Sequence, residues 1–165
     1  MSNVLIGIIG VILFIGLALA GALFLGPRFQ ESTNNSKASA AVQAVSQVAS
    51  AANMYNVQEG KTATSIADLT GGNYLKSVPG NPMSGTGAAA PTFTQVTTGP
   101  TDAQGTYITM NLGAGSGAVC EAIARQSGQL SATVTAPPTA VDGRPSGCFT
   151  TGTGASLVGN AFARV

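Results

Sequence analysis

Histidine and tryptophan are missing from this 165-residue chain, and charge is scarce: 8% of residues are charged and 5% aromatic. Without histidine, the commonest general base and the commonest nitrogen ligand for zinc are both gone. The acidic residues are Glu31, Glu59, Asp68, Asp102, Glu121 and Asp142. They are too widely spaced to form a local calcium loop. A net charge of +1 excludes a broad basic footprint for nucleic acid, though not a small basic patch. There is no P-loop, GxSxG or CxxC. The Gly-rich piece GAGSGAVCEA (113–122) lacks the three-glycine spacing and later acidic partner of a dinucleotide site. It reads as a turn leading into a helix. These absences point away from an enzyme, and no catalytic residue, metal site or cofactor is expected.

What is present is an apolar run. Residues 4–25 are all apolar or glycine, and the first charged side chain is Arg28. At about 1.5 Å per residue, such a run spans a hydrocarbon layer of roughly 30 Å. Three readings compete. A cleaved signal peptide wants a basic start and a short apolar core. Ala18-Leu19-Ala20 imitates its cleavage site, but no Lys or Arg precedes it and the apolar core runs past it. A simple membrane anchor fits the length. Arg28 and Lys37 would then place the body in the cytoplasm by the positive-inside rule. That conflicts with a disulfide between the two cysteines, Cys120 and Cys148, which needs an oxidising compartment. The conflict disappears if a basic leader preceded Met1 and was removed. The third reading is therefore a permanent working part.

The helical pattern continues beyond Pro27. Ala38, Ala41, Val42, Val45, Val48, Ala49, Ala52 and Tyr55 recur at spacings of three and four and fall on one helix face. Gln43, Ser46, Gln47, Ser50 and Asn53 fall on other faces, and Gly60 is a stop signal. The chain thus opens with one long helix of about 55 residues. Segment 1–27 is apolar all round, 28–59 is its amphipathic continuation, and 60–165 forms a head. Pro27 has no N–H, so the Leu23 carbonyl loses its donor, and Gly21 and Gly26 loosen the same stretch. An interruption near Gly26-Pro27 is expected.

In the head, Ser65 with Asp68 three residues later marks a helix start, and Gly71-Gly72 marks its stop. Strands are read at TFTQVTT (92–98), TYITMNL (106–112) and LSATVTA (130–136), with a weaker one at 157–165. Residues 117–126 read as a short helix burying Val119, Cys120 and Ile123. Asp142-Gly143 reads as a turn, and the Thr-rich stretches 94–106 and 135–147 as exposed loops. The fold class is α+β: a helix spine packed against a small antiparallel sheet, with one C-terminal disulfide.

The long helix, Tyr55, Leu69, Tyr74-Leu75, Pro79 and Pro82 together resemble the type IV pilin and pseudopilin superfamily. The segment VCEAIARQSG and the second cysteine look most like the type IVb branch, including its conjugative members. The resemblance covers the whole layout, with its specific motifs in residues 1–82. It implies a structural subunit that polymerises into a helical extracellular pilus for adhesion, motility, DNA transfer or conjugation. It implies residence in the inner membrane before assembly and then on the cell surface. The implied partners are further copies of the chain and assembly machinery including a prepilin peptidase. A surface receptor, DNA or phage would also suit. The implied assembly core is Met1, Leu5, Gly7, Gly10, Gly16, Gly21, Leu23, Gly26 and Pro27. Val42, Val45, Val48, Ala49, Ala52 and Tyr55 would pack the helix onto the head.

Two rivals remain. A pseudopilin of a secretion machine shares the helix, but in its common major form would have clustered carboxylates and no disulfide. A single-pass anchored binding domain would not need the amphipathic continuation through Tyr55. One departure from the family is plain: most type IV pilins carry a glutamate at the fifth mature position, and here Leu5 stands there if Met1 is the mature start. Oxygens of Ser2 and Asn3 and carbonyls around Leu23 of a neighbouring copy, rather than Glu31, are then expected to meet the Met1 amine, or else the amine lies in a hydrated channel or beside lipid at the fibre axis.

Overall fold

The structure is a computed structural model that describes residues 2–83, 87–96, 105–129, 144–152 and 157–165. Helix α1 runs Ser2–Glu59. It is followed by α2 (Ile66–Gly71), β1 (Thr92–Val96), β2 (Gly105–Ala114), α3 (Gly117–Gln126), β3 (Ser146–Thr151) and β4 (Val158–Arg164). The chain divides into two compact units, Met1–Asn34 and Asn35–Val165.

In the first unit, α1 is helical throughout, including Gly26-Pro27. The expected interruption is not present in this structure. The φ of proline is already helical, and the loss of one hydrogen bond is local, so the turns on either side carry the helix past it. Side chains 4–20 are all exposed. Near the end of the unit, Arg28 lies 3.8 Å from Glu31 in an exposed pair.

The second unit contains the rest of α1 and the whole head. Ala38, Ala41, Val45, Val48 and Ala52 are fully buried, at alternating steps of three and four. Small side chains on this stripe let the helix backbone come close to what it packs on. The same core cluster takes in Leu69 of α2, Ile108 and Met110 of β2, Val119, Cys120 and Ile123 of α3, and Cys148, Ala161 and Ala163 of the sheet. Helix α1 ends where Gly60 adopts φ +65°, a conformation that glycine takes at no steric cost.

The sheet has four antiparallel strands in the order β1-β2-β4-β3. In the register, Ile108 opposes Ala163, Met110 opposes Ala161, and Cys148 also opposes Ala161, so these side chains share the face that meets the helices. The other face is also covered. Tyr107, Phe149 and Phe162 form a second buried cluster, with the Tyr107 and Phe162 rings 5.8 Å apart and edge-on.

Strand β3 was not among the strands read from the sequence. It occupies Ser146 and Gly147 from one of the two expected Thr-rich loops, and Gly147 is buried rather than exposed. The other loop gives up Thr94, Gln95 and Val96 to β1, and Gly105 and Thr106 to β2. The expected strand at 130–136 and the turn at Asp142-Gly143 lie outside the described residues. Cys120 and Cys148 are joined, with a Cα–Cα distance of 5.4 Å, and tie α3 to β3.

Candidate functional site

Two surfaces are candidates, one in each unit. The first is the apolar start of α1. It is the one helix among the described residues long and apolar enough to cross a membrane. Thirteen large apolar side chains between Val4 and Leu23 are exposed, Leu23 at 77%. Burying each is worth about 1.5–3 kcal/mol. Together that exceeds the roughly 5–15 kcal/mol that holds a domain folded. By length and composition this helix could span a membrane.

Of the expected core residues, Leu5, Gly7, Gly10, Gly16, Leu23 and Gly26 lie on this helix in the open, and Gly21 is half-exposed. A Cβ added at any of the five glycines would meet nothing within 4 Å. Their lack of a side chain is therefore not required inside this chain. Pro27 lies in the helix, and Met1 lies outside the described residues, so its amine has no described partner.

The second surface is in the head unit. Val45, Val48, Ala49 and Ala52 are buried in the core, and Val42 and Tyr55 pack against it half-buried. The opposite side of the same helix is open. There Gln43, Ser46, Gln47, Ser50 and Met54, together with the buried Ala51, form one wall of a groove of about 530 Å³, and Tyr74 and Leu75 form the other. Sequence periodicity places Gln43, Ser46, Gln47 and Ser50 off the core face. It held no signal for the groove, because Tyr74-Leu75 reach it through tertiary packing.

The position of Tyr74-Leu75 is built from α2 outwards. The Ser65 hydroxyl accepts from the Asp68 N–H at 3.3 Å, and the Asp68 carboxylate accepts from the Ser65 N–H at 3.0 Å. This is a complete capping box. The same carboxylate also accepts from the Thr64 N–H and hydroxyl. Backbone donors from Thr64 and Ser65 favour the ionised form and hold Asp68 below the usual aspartate range. At the other end of α2, the N–H groups of Tyr74 and Leu75 both donate to the Leu69 carbonyl, at 3.0 and 3.1 Å. The Tyr74 hydroxyl then donates to Glu59 at 3.0 Å, and its ring meets Tyr55 edge-on at 5.3 Å. Burial, with the Glu59 carboxylate beside it, pushes the Tyr74 phenol above its ordinary value. The groove wall is thus latched to the end of α1.

Among the described residues, no group of three His, Cys, Asp or Glu side chains can hold a metal ion. The one buried side-chain polar atom without a partner among the described residues is the Thr150 hydroxyl. Both cysteines are bridged. What the geometry offers is contact area: a naked apolar helix and an uncharged groove. Compared with known proteins, the chain matches no family model, no curated protein and no solved structure.

Proposed function

We propose that the chain is the structural subunit of a helical extracellular filament of the type IV pilin kind. The observation that carries this reading is the continuity of α1. One helix supplies both an exposed apolar segment and the buried spine of a disulfide-stapled head. A helix that is apolar all round needs burial on every side. Lipid satisfies it before assembly. A bundle of identical helices satisfies it afterwards, through head-to-tail contacts that do not close on themselves and so make a fibre.

The same reading accounts for the rest of the chain. The monomer is held in the inner membrane by α1, with its head on the oxidising side where the disulfide forms. On assembly the apolar segments become the filament core and the heads its surface. The scarcity of charge suits close packing of many identical heads, since like charges repeated at every subunit would repel. Electron microscopy of material sheared from the cell surface tests the reading. Long fibres whose only protein by mass spectrometry is this chain are the expected result. A chain found only as a monomer in the membrane, with no fibre under any growth condition, refutes it.

A further inference from the structure

The outward side of α1 in the head unit carries no charge. Between Lys37 and Glu59 the sequence has no Asp, Glu, Lys or Arg. Gln43, Gln47, Ser50, Met54 and Val57 follow one another at steps of four, three, four and three, and all are exposed. Met54 is 55% and Val57 85% exposed. A helix face made for solvent normally carries charged residues. A face of amides, hydroxyls and bare apolar side chains suits a helix contact, where small polar side chains bond across.

The groove over this face has two chemistries. Met54 and Leu75 offer apolar surface, and Gln43 and Gln47 offer amide donors. The same amides also accept, so an uncharged occupant that joins an apolar side chain to a backbone polar group fits the groove. From Gln43 to Met54 the groove wall is about 17 Å long by helix rise, enough for about three turns of another helix. The chain itself contains one such element. Pro27 has no N–H, so the Leu23 carbonyl lacks its donor within α1. Leu23, at 77%, is the most exposed large apolar side chain before Pro27 among the described residues. Gly26, beside it, has no side chain, and a Cβ there would meet nothing. An unpaired carbonyl buried against lipid or an apolar helix is costly.

We infer that the groove between Gln43, Gln47, Met54 and Leu75 receives the Leu23-to-Pro27 turn of a second copy of this chain. The Leu23 side chain seats against Met54 and Leu75, and its carbonyl accepts an N–H from the Gln43 or Gln47 amide. This deepens the filament reading and rests on it. The carbonyl has two lone pairs, so an amide from one copy and the Met1 amine of another do not exclude each other.

The test uses the full-length chain, whose two cysteines are already paired. Copies carrying Leu23→Cys and copies carrying Gln47→Cys are co-expressed and oxidised in the membrane and in sheared filaments. A cross-linked dimer in filaments, absent from the detergent-dispersed chain, is expected. The pair Leu13→Cys with Gln47→Cys is the control and should not cross-link. Maleimide labelling of Gln47→Cys should fall at least about fivefold on assembly. Pro27→Ala returns a donor to the Leu23 carbonyl, so the 23–47 cross-link should drop by more than half although the helix itself is strengthened. Filaments that form without the 23–47 cross-link, or whose Gln47→Cys labels as fast as the monomer, overturn the inference and leave the filament reading standing. Protection of Gln47→Cys in membranes before assembly makes lipid the occupant and also overturns it. Absence of any filament from the wild-type chain, judged by microscopy of the same preparation, removes the filament reading itself.

Discussion

Replacing both Cys120 and Cys148 with alanine should strongly destabilise the head while leaving every other helix and strand residue intact. The bridge joins residues 28 apart in sequence. On the chain-entropy model, closing a loop of that length removes about 3.6 kcal/mol of freedom from the unfolded chain. Both sulfurs are fully buried, so the alanine pair also loses some packing. Against a typical stability of roughly 5–15 kcal/mol, such a loss removes a quarter to most of what holds the head. For a unit of about 130 residues, unfolding entropy near 2.1 cal/mol/K per residue turns 3.6 kcal/mol into a fall in Tm of roughly 13 °C.

The assay is urea unfolding of the full-length chain in detergent, followed by the near-ultraviolet signal of Tyr107 and its neighbours. The midpoint should fall and the slope should rise, because the unbridged denatured chain exposes more surface. A second readout is kinetic. With both sulfurs buried, a thiol reductant has to wait for the head to open, so native reduction should be on the order of 10³-fold slower than reduction in urea. A loss of less than 1 kcal/mol, or reduction at the same rate in both states, would show that α3 and β3 are not held together by the bridge and would refute the reasoning.

Three further outcomes follow from single positions. Thr150 is 2% exposed and its hydroxyl has no partner among the described residues, so Thr150→Val should raise stability by about 1 kcal/mol in thermal unfolding; a lower Tm would mean that the hydroxyl is satisfied. Gly159 should not tolerate a methyl, because a Cβ there would lie 2.9 Å from the Cys120 Cβ and 3.0 Å from the Ser116 Oγ. Gly159→Ala should cost about 1–3 kcal/mol through overpacking, and an unchanged urea midpoint would contradict this. The Asp68 carboxyl titrates below its ordinary value in the folded chain, so its contribution to stability is complete above the unfolded-state value of 3.8 and is lost as pH falls from there through the folded value. Carbon-detected NMR titration of Asp68 should therefore give a midpoint under 3.8, and Asp68→Asn should flatten the acid limb of the stability profile.

What could be read in advance was whatever depends on neighbours in sequence. Helix α3 is one case: residues 117–126 carry their own apolar face, and its ends coincide with the expected ones. The stripe from Ala38 to Tyr55 is another, because every position on it answers to the same period. The cap at Ser65 needs only Asp68, three residues on. What failed depends on distant groups. Strand β3 reads SGCFTT, with no alternation, because both of its faces are covered. Cys148 and Thr150 share one face, and Gly147 and Phe149 share the other. Gly147 is small for a reason visible only in three dimensions: a Cβ there would lie 2.6 Å from the Gln129 amide oxygen, which accepts from the Cys148 N–H at 3.0 Å. A strand whose edge donor is taken by a side chain from beyond α3 has no signature of its own. The proline at 27 misled in the opposite direction. Its local rule is sound, but a helix of 58 residues gives up one hydrogen bond there and continues. That leaves the Leu23 carbonyl without its i+4 donor, and an open groove lined with amides on the same element. Both features look like defects in a single chain. They become complementary only when a second copy is brought alongside, which is why the contact surfaces are harder to read from one sequence than the fold that carries them.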